Sequence, residues 1–159
     1  MGNLCRSPTA HAVFRQRVAE AGLAGSVRID SAGTHASHRG ERPDSRAQIC
    51  ARQRGYGLSD LRSRPVTDND FGTFDLLLAM DDANLAQLRR HCPPQHQHRL
   101  RRLTEFGLHS SSAGVPDPYY GNAQGFEHVL DLIEDACDGL LAHVQQQLRA
   151  APERTGKNI

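Results

Sequence analysis

From Pro8 onward, Ala10, Val13, Phe14, Val18 and Ala21 recur at three- and four-residue steps, while His11, Arg15, Gln16, Arg17 and Glu20 fill the other positions. That period predicts an amphipathic helix. Ser7 suits its N-cap, Pro8 its first turn, where a missing N–H is harmless, and Gly22 its stop. Residues 27–31 (Val-Arg-Ile-Asp-Ser) predict a short strand ended by Gly33, and residues 44–54 a helix closed by Gly55. After an irregular polar stretch over 62–69, Leu76-Leu77-Leu78-Ala79-Met80 is a continuous apolar run of the kind found in parallel strands covered on both faces. Residues 82–91 predict a helix stopped by Pro93 and Pro94, and 100–104 a last strand. The clearest stripe is the final one: Phe126, Val129, Leu130, Ile133, Cys137, Leu140, Leu141, Val144 and Leu148 share one helix face.

Strands alternating with helices predict an α/β domain with a small parallel sheet, right-handed crossovers and a ligand site beyond the carboxyl ends of its strands. The 159 residues suit one domain. Its expected extent is 1–150, followed by a polar, disordered tail over 151–159. Residues 105–121 form a long Gly-, Ser- and Pro-rich loop, a length that is uncommon unless the loop has a task.

Composition narrows the partners. Nineteen Lys plus Arg against eighteen Asp plus Glu leave a net charge of +1, so the overall balance calls for neither nucleic acid nor an anionic membrane. Cys5, Cys50, Cys92 and Cys137 form no CxxC pair and read as reduced thiols. With no apolar run of bilayer length and no signal-peptide pattern, a cytoplasmic, soluble protein is expected. His91, Cys92, His96 and His98 are zinc-ligand types, but their spacing fits no standard site, and a solvated connection is expected there. No metal and no cofactor are expected.

The candidate chemistry lies at the start. Met1-Gly2-Asn3-Leu4-Cys5-Arg6-Ser7-Pro8 is a glycine-led loop that delivers an arginine and a serine to a helix N-terminus. Inward amides, the positive helix end and a guanidinium fork suit a multiply charged oxyanion.

These residues resemble the active-site loop of the low-molecular-weight protein-tyrosine phosphatases, whose motif reads Cys-x-Gly-Asn-x-Cys-Arg-Ser. Three further blocks resemble the same family in the expected order: Asp30-Ser31-Ala32-Gly33-Thr34 with Arg42-Pro43-Asp44-Ser45-Arg46-Ala47, then Phe74 through Asp81, then Pro116-Asp117-Pro118-Tyr119-Tyr120-Gly121. The resemblance covers about residues 1 to 148 and implies a four-stranded parallel sheet flanked by helices. It also implies hydrolysis of phosphotyrosine, in a protein or as a small aryl phosphate, through a cysteinyl-phosphate intermediate. Carried over by position, Arg6 is the oxyanion clamp and Asp117 the acid and later the base. Gly2, Asn3, Leu4 and Cys5 give loop amides, Ser7 a hydrogen bond to the thiolate, and Tyr119 and Tyr120 the walls of the ring slot.

The chain departs from the family pattern at several points. Aligned on Gly2, Asn3, Cys5, Arg6 and Ser7, the first cysteine of the motif falls one position before Met1, so the strand and nucleophile that open the family sequence are absent from residues 1–159. Cys5 is no substitute, since the loop needs five residues between sulfur and arginine. The recorded start is therefore expected to be an internal methionine. Three buried aliphatic side chains lost with a central strand are worth roughly 5–9 kcal/mol at 1.5–3 each, against a total stability of about 5–15; a marginal, inactive chain with an open slot is expected. Ser37, between His35 and His38, stands where an aromatic commonly stacks on the substrate ring, and Leu61 replaces a histidine ahead of Arg62 and Arg64. Leu4 matches tyrosine-directed members. The alternatives are a non-catalytic phosphate- or phosphotyrosine-binding relative and, last, a thiol-dependent arsenate reductase, for which only Cys92 lies in a plausible loop.

Overall fold

The computed structural model describes residues 1–110, 112–150 and 157–159. Helix α1 spans Arg6–Glu20 and buries Val13, Phe14 and Val18. Gly22, at φ +72°, ends it in a Schellman motif, with Gly22 N–H donating to Ala19 and Leu23 N–H to Val18. Its start corrects the expectation: Cys5, not Ser7, is the N-cap. Ser7 cannot cap because its hydroxyl accepts a bond from Asn3 Nδ2 at 2.7 Å and lies inside the first turn.

Strand β1 is Val27–Arg28 and helix α2 is Ser45–Gln53, capped by Asp44, whose carboxylate accepts from Arg46 N–H. Helix α3, Asp68–Thr73, begins in the last two positions of the 62–69 stretch expected to be irregular and continues beyond it. Its signal was the Thr67-x-x-Asp70 capping box, where the Asp70 carboxylate accepts the Thr67 N–H at 2.8 Å. Strand β2 (Leu77–Ala79), helix α4 (Asp82–His91) and strand β3 (Leu100–Arg102) follow. Helix α5, Ala123–Ala150, lays the predicted stripe against α1: Phe126, Val129, Leu130, Ile133, Cys137, Leu140 and Val144 are all buried with Val13, Phe14 and Val18. Gly139 lets α5 approach the 103–106 turn, because a Cβ there would strike the Phe106 carbonyl.

The protein is α/β, with small parallel sheets flanked by helices. Among the described residues the strands form two parallel pairs. In one, β2 lies beside β3 with Leu77 opposite Leu100. In the other, β1 lies beside β4, Lys157–Asn158, with Val27 opposite Lys157. The disordered tail expected from Ala151 falls partly on 151–156, outside the described residues. Over 157–159 the chain forms β4 instead, and Ile159 packs against the core.

β4 lies between β1 and the Asp75–Leu76 segment that leads into β2. Its Lys157 and Ile159 N–H groups donate to Ser26 and Arg28 (both 2.7 Å), while its Asn158 carbonyl accepts from Asp75 N–H at 2.9 Å. Beyond Ile159 the space between β1 and β2 stays open. It joins the surface around Arg6 in one cavity of about 510 Å³, whose inner walls are Phe14, Ile29, Leu76, Leu78, Leu103 and Leu140.

Candidate active site

The loop from Gly2 to Ser7 is held by its own polar groups. Asn3 is buried with φ at +60°, the left-handed region that asparagine tolerates better than other side chains. Its Nδ2 donates to Ser7 Oγ at 2.7 Å and to Ser31 Oγ at 3.2 Å, and its Oδ1 accepts the Arg64 N–H at 3.1 Å. Ser63 Oγ donates to the Gly2 carbonyl at 2.8 Å, and Asp44 N–H to the Leu4 carbonyl at 2.9 Å. Gly33, at the end of the β1 segment, must lack a side chain: a Cβ would run into the Met1 carbonyl and Asn3. Three sequence-distant segments therefore fix this turn.

Arg6 is 5 % exposed at the first position of α1. Its Nη1 donates to Asp81 Oδ2 at 2.6 Å and to the Val115 carbonyl at 2.7 Å, and its Nη2 lies 3.7 Å from Asp117 Oδ2. Asp117 sits on the loop before α5, and its Oδ1 accepts the Tyr119 N–H at 3.1 Å, an Asx-type turn. Asp81 follows β2 directly and caps α4 by accepting the Asn84 N–H at 2.7 Å. Burial opposes its ionisation, but bonds from Arg6 and Asn84 outweigh it and hold the Asp81 carboxyl below the usual range.

Arg46 ties the outer rim together. Its guanidinium bonds the Asp44 carboxylate, donates to the Tyr119 carbonyl at 2.8 Å and lies over the rings of Tyr119 and Phe126. Tyr119 and Tyr120 stack edge to face with centroids 5.0 Å apart, and Tyr120 is 92 % exposed. His35, Ser37 and His38 line the same cavity.

A turn rich in satisfied polar groups, a buried guanidinium and the Asp117 carboxylate thus converge at the carboxyl ends of β1 and β2, the place where α/β sheets bind ligands. Comparison with known proteins gives the same direction. The sequence profile for low molecular weight phosphotyrosine protein phosphatases matches residues 1–150. The chain belongs to the low molecular weight phosphotyrosine protein phosphatase family. It is 43 % identical to the low molecular weight protein-tyrosine-phosphatase of Streptomyces coelicolor over 150 residues, 92 % of this chain and 91 % of that protein. With the Bacillus subtilis low molecular weight protein-tyrosine-phosphatase YfkJ it shares 38 % over 148 residues, 92 % and 93 % of the two chains. A crystal structure of an Entamoeba histolytica protein tyrosine phosphatase with Hepes in the active site superposes at a TM-score of 0.90 with 39 % identity, covering 92 % of this chain and 94 % of that one.

Of the site residues read from the sequence, the phosphatase fold gathers Gly2, Asn3, Leu4, Cys5, Arg6, Ser7, Asp117, Tyr119 and Tyr120 around one cavity. Cys5 turns its sulfur into the core: it is 6 % exposed, and burial, with Asp44 and Asp117 nearby, pushes its thiol up to about 12. Sequence reasoning missed the role of Asp81, although an aspartate placed between an apolar strand and a helix is a capping signal at a strand's carboxyl end. It also missed Arg46 and the pair of carboxylates on Arg64, with Asp30 at 3.0 Å and Asp70 at 2.9 Å, which steady the backbone that holds Asn3. Among the described residues no three His, Cys, Asp or Glu side chains cluster as metal ligands, and no helix is long and apolar enough to cross a membrane.

Proposed function

We propose that this phosphatase acts on phosphotyrosine, in a protein or as a small aryl phosphate, with the loop Gly2–Ser7 and Arg6 holding the phosphoryl oxygens. The observation that carries the reading is the buried Arg6 guanidinium between Asp81 and the Asp117 carboxylate, 2.6 and 3.7 Å away, at the mouth of an arginine-bearing loop on a helix N-terminus. In the reaction a thiolate attacks phosphorus, an S–P bond forms, and the aryl O–P bond breaks as Asp117 hands its proton to the departing phenolate. Asp117 then takes a proton from water, which attacks phosphorus and releases phosphate and thiolate. Leu4 and the Tyr119–Tyr120 pair give apolar contact for an aromatic ring.

The attacking thiol is none of the four in residues 1–159, all of which are buried. Cys5 would need to ionise far above neutral pH, and a thiol rather than a thiolate is a poor nucleophile. The polypeptide of residues 1–159 therefore binds a tetrahedral oxyanion without turning an ester over, so that by itself it behaves as a phosphate-binding module. The arsenate reductase reading ranks last, because Cys50, Cys92 and Cys137 are buried with Cys5 and none is poised to resolve an arsenic adduct. Unpaired thiols suit a reducing compartment, and we assign the protein to the cytoplasm.

Titration of residues 1–159 with inorganic phosphate and vanadate, beside Arg6→Ala, tests this. Binding should weaken at least about thirtyfold in the variant, as expected for a lost charge-assisted fork. Unchanged binding would remove the clamp assignment, and aryl phosphate hydrolysis well above the Arg6→Ala level would remove the claim of inactivity.

A further inference from the structure

Beneath the turn a relay of hydrogen bonds leaves α1, crosses to the segment after β1 and returns to α1. Ser7 and His11 stand four positions apart, which puts both on one face of the helix. Ser7 Oγ accepts from Asn3 Nδ2 at 2.7 Å, and the same Nδ2 donates to Ser31 Oγ at 3.2 Å. His11 Nδ1 lies 3.3 Å from that Ser31 oxygen. One buried carboxamide thus spans two hydroxyls, and the second hydroxyl ends on an imidazole.

The direction of the relay follows from valence. Ser31 Oγ already accepts from Asn3, and among the described residues His11 Nδ1 is the group placed to take its hydroxyl proton. The ring is then neutral, with its proton on Nε2. A protonated ring would donate at Nδ1 and turn the Ser31 proton away from its acceptor. The surroundings favour the neutral form. His11 is half-buried, Arg15 lies one turn further along α1, and the Asp30 and Asp60 carboxylates that face the ring are engaged by Arg64 at 3.0 Å and Arg15 at 2.7 Å. Burial first, then Arg15, lower the His11 pKa below its ordinary value against the opposing pull of Asp30 and Asp60. Leu61, which stands where the family resemblance expects a histidine, has no polar side-chain atom and packs against the core. In this chain the imidazole under the turn comes from α1.

We propose that His11 is a positioning residue for the Gly2–Ser7 turn: through the Ser31 hydroxyl its neutral ring fixes the Asn3 carboxamide, and with it the shape that holds an oxyanion. His11 makes no contact with the anion and acts only through Ser31 and Asn3. Asn3 sits at φ +60°, a conformation that needs support from its side chain, so a looser carboxamide loosens the turn. The effect on phosphate rests on the reading of the turn as an oxyanion cradle; the orientation of Asn3 does not.

The test compares, in residues 1–159, His11→Leu, which keeps apolar bulk and removes the acceptor, with His11→Gln, whose carbonyl takes the Ser31 proton at any pH. In the parent the nitrogen NMR shift of His11 Nδ1 should be that of an unprotonated ring nitrogen, and a protonated Nδ1 near neutral pH overturns the proposal. The Asn3 side-chain amide protons should exchange roughly fivefold faster in His11→Leu, the worth of one net hydrogen bond, and return to within about twofold of the parent in His11→Gln. Equal exchange in all three overturns the proposal. Ser31→Ala should have at least the effect of His11→Leu, and adding His11→Leu to it should change nothing further; additive losses show that His11 acts by packing alone and overturn the relay. Phosphate affinity should follow the same order. The ratio of parent to His11→Gln affinity, from which the titration of phosphate itself cancels, should hold near neutral pH and fall as pH drops through the His11 ring titration. A flat ratio through that titration overturns the dependence on the neutral ring. If neither parent nor variants bind phosphate, the cradle reading falls, and Asn3 exchange still decides the role of His11.

Discussion

The turn from Gly2 to Ser7 and the gap between β1 and β2 share one cavity and are built on opposite terms. In the turn almost every polar group has a partner: Asn3 satisfies Ser7, Ser31 and Arg64, Ser63 and Asp44 take the Gly2 and Leu4 carbonyls, and Arg6 is bonded three ways. In the gap a strand edge has no partner among the described residues and aliphatic walls line open space. The turn is over-determined by short, directional bonds from several segments, so its shape does not rest on the strand pairing beside it. A parallel sheet has no such redundancy. Each strand edge relies on a neighbour from elsewhere in the chain, and with the neighbour only half in place the edge is left exposed.

The sharpest way to break this contrast is to add volume on each side. Gly33→Val forces a side chain into Met1 and Asn3; we expect a loss of about 3 kcal/mol from overpacking together with loss of phosphate binding, read by thermal unfolding and titration. If it binds phosphate as well as the parent, the turn is softer than its bonds imply. Next in size is the support beneath the turn. Asp70→Asn removes the carboxylate that accepts both Arg64 and the Thr67 N–H and should lower stability at pH 7 by about 2 kcal/mol. Burial disfavours the ionised Asp70, but its bonds from Arg64 and Thr67 prevail and hold its pKa below the ordinary 3.8. A depressed carboxyl stabilises the fold above its unfolded pKa and loses that contribution as pH falls through the folded value. Parent and Asn variant should therefore converge in urea midpoint well below pH 3.8, and a gap that persists there would mean the effect is not ionic.

Smaller still is the change on the slot side. Leu78→Phe adds a ring toward the open space and should shift stability by less than about 1 kcal/mol, or raise it, because the site has room. A loss as large as that of Gly33→Val would show the gap to be tightly filled. The smallest effect concerns Cys5, whose thiol is buried and raised to about 12. Alkylation of the folded protein at pH 8 should be at least about a hundredfold slower than of a free cysteine, and rapid labelling at Cys5 would reopen its candidacy as a nucleophile.

Legibility followed distance along the chain. The α5 stripe was plain because helix periodicity is local, and Gly22 and Gly55 marked helix ends because only a left-handed residue fits there. Arg6 and Asp117 lie 111 positions apart; their meeting came from the family resemblance, and the 3.7 Å approach agrees with it. Asp81 carried a local capping signal, yet its pairing with a residue 75 positions away did not. Ser7 looked like the cap until its hydroxyl was claimed by Asn3. β4 had no signal at all: lysine and asparagine are depleted in strands, and its partner Val27 is 130 positions upstream.

The sequence by itself determined the family, the α/β class, the main helices and the loop chemistry, since these rest on short-range patterns and on residues whose types admit few other uses. Tertiary structure alone decided which carboxylates hold Arg6, that Cys5 faces the core, and that the chain's last described residues run as a strand into the gap. Those outcomes depend on hydrogen-bond and edge valences supplied by remote segments, and which remote group fills a valence is settled only when the fold brings the candidates within about 3 Å of one another.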